Sequence, residues 1–280
     1  MKKNTTNRTV TFVFYLFFTL LAAGIFLPVW VLFIASFKPG EDLLQYGLNL
    51  EIHLSGMNLN NYTLLFFGQH EYWRWFFNSI ILTVLTVSGT LLISSFVGYG
   101  FAAYDFKGKK FLFILVLLIL SIPLEVVMLP LYKQISSWKL MDNYAAIVLP
   151  FLAHASTIFF FRQYLLSIPG SLIEAGRIDG ATEYGIFYRL IIPLMKPAFS
   201  AMAILNGMNA WNNYLWPLLV IRSSQKYPLT LGLNTLINPY GDNYSLLIVG
   251  SVFSVIPIFL LFVAFQKYFI QGMMAGAVKG

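Results

Sequence analysis

The 280-residue chain contains no cysteine, which excludes both a disulfide framework and a thiolate metal site. Charge is also scarce. Asp, Glu, Lys and Arg together make up 10% of the residues, against about a quarter in an ordinary soluble domain. With 11 acidic residues and 3 histidines, no His/Asp/Glu cluster falls at metal-ligand spacing and no Ser/His/Asp set stands out. A phosphate-binding loop is missing as well. Gly108-Lys109 lacks the upstream glycine, the following Ser or Thr and the strand that such a loop requires. The residues therefore predict no catalytic site, no resident cofactor and no ATP hydrolysis by this chain alone.

Apolar residues are abundant: 58% are hydrophobic, 18% are aromatic, and the mean hydropathy is +0.73. So little charge cannot cover an apolar core with a polar surface, so the expected solvent is a bilayer, with rings at headgroup level. Six apolar runs approach the roughly 20 residues needed to cross it. They cover about Val13–Ile34, Phe77–Phe101, Phe111–Leu129, Tyr144–Leu166, Ala198–Val220 and Tyr244–Phe265. Open strands cannot satisfy their backbone in lipid, so an all-α polytopic fold of six transmembrane helices is predicted. Its parts are an N-terminal segment 1–12, a first helix 13–34, a loop 35–76, a five-helix core 77–268 enclosing a loop at 167–193, and a tail 269–280.

The net charge of +7 fits topology and does not require nucleic acid. With the N-terminus inside, twelve basic residues fall inside (Lys2, Lys3, Arg8, Lys107, Lys109, Lys110, Arg162, Arg177, Arg189, Lys196, Lys267 and Lys279). Six fall outside (Lys38, Arg74, Lys133, Lys139, Arg222 and Lys226), which exhausts the 18. Basic residues concentrate on the cytoplasmic side of membrane proteins, so both termini are expected there. The first run is longer than the apolar part of a signal peptide and reads as a retained helix.

The loop at 167–193 is the most informative. Pro169 suits a first helical turn, and Leu172, Ile173 and Gly176 share one face at helical spacing. Gly180 can take the left-handed conformation that ends a helix. Thr182 and Glu183 suit the start of a second helix, where the dipole favours an acid. Ile186, Phe187, Leu190 and Ile191 form its apolar face, and Pro193 is the expected stop. The spacing alone permits an amphipathic hairpin resting on lipid or a docking element for a partner.

Polar residues within spans usually face a bundle interior or a cavity. Asn206, Asn209 and Asn213 form one stripe of the fifth run, flanked by Trp211 and Asn212. They read either as amides and an indole lining a path for a hydroxylated solute, or as interhelical bonds, worth about 0.6 kcal/mol each. For the deep Asn206 an interhelical bond, to a second membrane subunit, is expected. Glu125, between Pro123 and Pro130, reads as part of a kinked, hydrated outer end, with ion coupling as the other reading. His154 is expected to be structural.

Glu174-Ala175-Gly176, Asp179-Gly180-Ala181, Ile192-Pro193 and Pro197 resemble the Glu-Ala-Ala loop of permease subunits in bacterial ATP-binding-cassette importers. That family usually carries a second Ala at Gly176 and a Leu at Ile192. Further motifs are similar to its MalG-like carbohydrate branch: Asn78-Ser79, Gly98-Tyr99, Pro130-Leu131-Tyr132 closing the third span, Trp211-Asn212-Asn213-Tyr214-Leu215-Trp216-Pro217, Tyr227-Pro228-Leu229-Thr230-Leu231-Gly232-Leu233, and the tail Ala275-Gly276-Ala277-Val278-Lys279-Gly280. The resemblance extends over nearly the whole chain and implies a type I importer permease fold. It also implies a second permease subunit, two copies of a cytoplasmic ATPase that hold the ATP and Mg, and an external solute-binding protein. Glu174 to Ala181 would be the ATPase-coupling segment. Gly276 to Gly280 would add a second ATPase contact, and the loop from Arg222 to Tyr240 would meet the binding protein. The implied cargo is a sugar or oligosaccharide. A polyol or a glycerol phosphate diester is the alternative within the class. An ion-coupled secondary transporter would need midplane carboxylates, for which only Glu125 qualifies.

Overall fold

Backbone groups in hydrocarbon must be satisfied within their own segment. In the computed structural model of the protein, which describes residues 8–39, 56–68, 70–237 and 244–277, the apolar runs are helices, and no strand occurs among the described residues. In chain order they are α1 (Arg8–Ala35), α2 (Asn60–Phe67), α3 (Tyr72–Ala103), α4 (Lys109–Leu120), α5 (Leu124–Ser137), α6 (Tyr144–Leu165), α7 (Ser171–Ile178), α8 (Glu183–Leu194), α9 (Lys196–Trp211), α10 (Leu215–Val220), α11 (Leu229–Thr235) and α12 (Tyr244–Ala277). By length and composition, four helices are able to cross a membrane, and six if each of two bent pairs is one span.

The two bent pairs depart from the sequence expectation. The third run is not straight: α4 and α5 meet at 106°. Pro123 sits in extended backbone before α5, and a proline biases the residue before it away from helix. The 12 residues of α4 rise only about 18 Å, short of the roughly 30 Å hydrocarbon core. Pro130-Leu131-Tyr132 consequently lies inside α5 and does not close a span. The second bend, 76°, separates α8 from α9. It falls at Met195 and not at Pro193, which is accommodated within α8. Lacking an N–H, Pro193 cannot bond the carbonyl four residues back, and the turn before it, Phe187–Ile191, is widened to a π-helix. The fifth run ends its helix at Trp211 and resumes as α10, so Ala198–Val220 is two helices. In α6 the Asn143 side chain accepts from the Ala145 amide at 2.9 Å. The helix tightens at Leu149–Phe151 and opens at 152–154. α12 runs well past Phe265, to Ala277.

The chain divides into two units that do not follow chain order. One comprises residues 1–70 and 233–255, the other residues 71–232 and 256–280. In the first, the Asn61 amide donates to the carbonyls of Ser36 (2.9 Å) and Lys38 (2.8 Å). The Ser36 hydroxyl lies 2.6 Å from that of Tyr62. These bonds cap the end of α1 with α2. From Phe12 to Trp30, almost every side chain of α1 is exposed and apolar, as lipid contact requires.

In the second unit α3 is central, packed by α6 and α9. Its buried face is its polar one: Asn78, Ser79, Thr83, Thr86, Thr90 and Ser94 point inward, while Phe77, Ile81, Val84, Leu85 and Leu92 are exposed. Lipid is as apolar as leucine, so small and hydroxylated residues mark the interfaces of membrane helices. Gly98 provides the close approach to α6. A Cβ there would lie 2.9 Å from Phe161 Cβ, 3.2 Å from the Arg162 amide nitrogen and 3.3 Å from the Ile158 carbonyl oxygen.

Candidate functional site

The hairpin at 167–193 is built as the sequence suggests, with a sharper turn. Gly180 has φ +76. The Ala181 amide donates to the Gly176 carbonyl at 3.0 Å, and the Gly180 amide to that of Arg177 at 3.1 Å. Together these bonds close a Schellman turn. Thr182 then caps α8, its hydroxyl accepting from the Gly185 amide at 3.1 Å. On α8, Ile186, Phe187 and Ile191 are fully buried in a cluster with Tyr99, Phe161 and Leu165. On α7, Ile173 and Gly176 face inward, and a Cβ on Gly176 would come within 3.1 Å of Ile186. Leu172, expected on that same face, is exposed. Also exposed are Glu174, Ala175, Asp179, Gly180 and Ala181, Ile178 (85%) and Tyr184 (73%). The free surface of the hairpin thus combines apolar side chains with two carboxylates.

Behind this surface lies a polar cluster that the sequence reading did not assemble. Glu183 accepts from Arg177 Nε at 2.7 Å and Nη2 at 3.3 Å. It also accepts from the Tyr104 hydroxyl at 2.5 Å and, at 3.5 Å, from that of Tyr99. Bonds from Arg177 first, then Tyr104, hold the Glu183 carboxyl below its usual range.

A cavity of about 270 Å³ lies between α3, α6 and α9. Its polar lining is Ser79, Thr86 and Thr90 of α3, His154 of α6, and Asn206, Asn209 and Asn213. Among the described residues no Lys, Arg, Asp or Glu lines it. Asn206 bonds within this chain, donating to Thr157 Oγ1 of α6 at 3.1 Å and to the Met202 carbonyl at 2.9 Å. His154 joins the lining, with Nδ1 2.8 Å from the Ser156 hydroxyl. Trp211 is 4% exposed, packs edge-on against Phe76 and is not part of the lining. Neither is Asn212 or Glu125; both are exposed, with Glu125 in the first turn of α5. In the tail, Gly276 and Ala277 close α12, while Val278, Lys279 and Gly280 lie outside the described residues.

One end of the cavity carries Pro228, which belongs to a segment pinned from two sides. The Asn78 amide donates to the carbonyls of Gln225 (2.9 Å) and Tyr227 (3.0 Å). The Ser79 hydroxyl accepts from the Leu229 amide at 2.7 Å, and Trp75 Nε1 donates to the Ser224 carbonyl at 2.9 Å. These bonds are the physical content of the Asn78-Ser79 motif. From the other side Asp142 Oδ1 accepts from the amides of Arg222 and Ser223, both at 3.0 Å. Its Oδ2 accepts from the Ser223 hydroxyl at 2.6 Å and from Lys226 Nζ at 2.9 Å. Of the loop expected from Arg222 to Tyr240, residues 238–240 lie outside the described residues.

Bonds from Ser223, chiefly, hold the Asp142 carboxyl well below the ordinary carboxylate range. Its stabilising contribution is therefore full above pH ~3.9, the unfolded value, and is lost as pH falls below it. Asp142→Ala is expected to lower the stability of the detergent-solubilised protein by about 2 kcal/mol, since bonds to a charged group are each worth about 1.5–3 kcal/mol. It is also expected to expose the 222–228 segment to protease. Asp142→Asn retains an acceptor and should lose less. A thermal melt and a limited digest check both, and an Ala variant identical to wild type in each would contradict the assignment.

A polytopic helical chain with a polar cavity between its spans and an amphipathic hairpin on one side defines a membrane permease. Residues 91–275 match the family model for the binding-protein-dependent transport system inner membrane component, and the chain belongs to that family. It is 50% identical over 265 residues to the arabinooligosaccharides transport system permease protein AraQ of Bacillus subtilis (strain 168), covering 95% of this chain and 94% of the relative. It is 45% identical over 278 residues to the AraQ protein of Halalkalibacterium halodurans, covering 99% and 100%. Its fold matches a chain in the crystal structure of a bacterial ABC transporter involved in the import of the acidic polysaccharide alginate, with TM-score 0.81, 23% identity, and 96% and 99% of the two chains covered. The protein is thus a multi-pass inner-membrane permease subunit of a transport system.

Proposed function

We propose that this chain forms half of the translocation path of an importer for a neutral sugar oligomer, working with a second permease, two copies of a cytoplasmic ATPase and an external solute-binding protein. ATP and Mg belong to the ATPase, and both termini face the cytoplasm, in keeping with the bias of basic residues. The α7–α8 hairpin is the coupling element: its exposed Ile178 and Tyr184 enter an apolar cleft of the ATPase, and Glu174 meets a basic group there. The tail, Gly276 to Gly280, adds a further ATPase contact. ATP binding closes the ATPase pair, pushes the hairpin inward and opens the path to the outside. Hydrolysis returns it and releases solute to the cytoplasm.

The observation that carries the cargo class is the cavity lining. Hydroxyls, amides and one imidazole match the hydroxyls of a carbohydrate, and nothing there neutralises the phosphate of a glycerol phosphate diester. The arabino-oligosaccharide transport attributed to the two relatives agrees with this reading. Asn209 and Asn213 are the solute-contacting residues; Trp211, Asn212 and Glu125 stay with packing and surface. The test is ATP-dependent uptake of a labelled arabino-oligosaccharide into proteoliposomes holding the assembled importer and its binding protein. Uptake is expected, with no competition from an anionic diester. In the Asn209→Leu/Asn213→Leu variant half-saturation should rise at least about fivefold, since two hydrogen bonds are lost and each removes about 0.5–1.5 kcal/mol. No uptake without a proton or sodium gradient would defeat the importer reading, and an unchanged half-saturation would remove these amides from the path.

A further inference from the structure

The two helices of the hairpin are held very differently. α8 is buried through Ile186, Phe187 and Ile191, and Phe187 stacks on Phe96 of α3 with ring centroids 4.4 Å apart. α7 stands off from the spans. A second cavity of about 270 Å³ separates it from them, lined by Tyr99, Ala102 and Ala103 of α3, Leu165 of α6, and Ile173 and Arg177 of α7. Packing does not fill this space, and on α7 only Ile173 is among the side chains packed against the neighbouring apolar cluster. It is attached to α6 by the short segment 166–170, to α8 by the Gly180 turn and by Gly176 against Ile186, to the apolar cluster by Ile173, and to Glu183 by Arg177.

Arg177 ends on Glu183, and Glu183 also binds Tyr104, the residue that caps α3. The Arg177 guanidinium in addition lies 5.6 Å from the centroid of the Tyr104 ring. Tyr104 is itself fixed, since its carbonyl accepts from Lys109 Nζ at 2.7 Å. One carboxylate therefore joins three elements: α7 through Arg177, α8 through its own first turn, and the end of α3 through Tyr104. The same carboxylate at the first turn of α8 is favoured by the helix dipole.

We propose that Glu183 is a positioning residue that makes α7, α8 and the adjoining end of α3 move as one body, so that displacement of the hairpin reaches the central span without being absorbed at the Gly180 turn. The role rests on the coupling reading given above. Without this junction the hairpin still docks on the ATPase, but α7 pivots about Gly180 into the cavity behind it, and hydrolysis proceeds with less solute moved per ATP.

The experiment measures solute uptake and ATP hydrolysis together in proteoliposomes of the assembled importer, alongside co-purification of the ATPase. Glu183→Ala is expected to retain the ATPase and to lower solute transported per ATP hydrolysed at least fivefold, with Glu183→Gln intermediate. Tyr104→Phe removes the shorter of the two bonds to α3, leaving the 3.5 Å bond from Tyr99 and the Arg177 pair, and its ratio should fall about threefold. Because this chain has no cysteine, Ala102→Cys places its single thiol in the wall of the cavity behind α7. Maleimide labelling there should be several-fold slower when Glu183→Ala is added, because α7 then occupies the cavity. A merely structural role would lower uptake and hydrolysis in proportion. An unchanged ratio in Tyr104→Phe overturns the proposal, whatever Glu183→Ala does to assembly. Failure of the underlying coupling reading looks different: wild-type protein would then show no ATP-dependent uptake or would not retain the ATPase.

Discussion

Replacing Gly180 by valine is expected to reduce ATP-driven uptake by the assembled importer at least tenfold. Gly180 has φ +76, and a Cβ there meets nothing within 4 Å, so the penalty is conformational and not steric crowding. An L-residue in the left-handed region costs about 1–2 kcal/mol, and a β-branched one is a genuine outlier there. Since about 1.4 kcal/mol is a factor of ten, the native turn loses about a factor of ten against its alternatives. Both bonds that close it, Ala181 to Gly176 and Gly180 to Arg177, depend on that conformation. Asparagine tolerates left-handed backbone, so Gly180→Asn should retain most of the uptake that Gly180→Val loses. The same proteoliposome assay reads both variants. Valine with wild-type uptake and a retained ATPase would show that the hairpin does not carry the drive.

The second large effect is expected at the opposite kind of glycine. Gly98 has ordinary helical backbone but no room, and two of its three nearest neighbours are backbone atoms of α6. A valine there must push α3 and α6 apart along their principal contact. Overpacking of this kind costs about 1–3 kcal/mol, and here the neighbours are rigid. Gly98→Val is expected to lower the melting temperature of the purified protein by several degrees and to reduce the amount recovered from membranes. Gly100 lies on the same helix with nothing within 4 Å of its would-be Cβ. Gly100→Ala should be neutral or stabilising, by up to about 1 kcal/mol. Equal melting of the two variants would mean that α3 and α6 do not meet at Gly98 in the membrane.

Much of the hairpin was legible in the chain, because its signals are local. The Gly180 turn, the Thr182 cap and the apolar set Ile186, Phe187 and Ile191 each need only near neighbours, and each stands as the spacing predicts. Pro123 and Pro193 were visible too, but not their consequences. One bends a run by 106°, whereas the other is absorbed by a widened turn. A proline removes a backbone donor in both cases, and the surrounding packing decides whether the helix breaks or relaxes.

The sequence by itself determined that the chain lives in a membrane, roughly where its helices run, and that a capped hairpin interrupts them. Those outcomes follow from apolar length and local backbone preference. Tertiary structure alone decided which residues meet. Ser79 reaches Leu229 across 150 positions, Tyr104 reaches Glu183 across 79, and Asp142 gathers the amides of Arg222 and Ser223. It also decided that Asn209 and Asn213 line a cavity while Trp211, between them, is packed away. The physical reason is the solvent. In water, hydrophobic periodicity separates the inside of a helix from its outside. In lipid both sides are nearly apolar, so burial is assigned by polar contacts between distant segments, and these exist only once the helices are brought together.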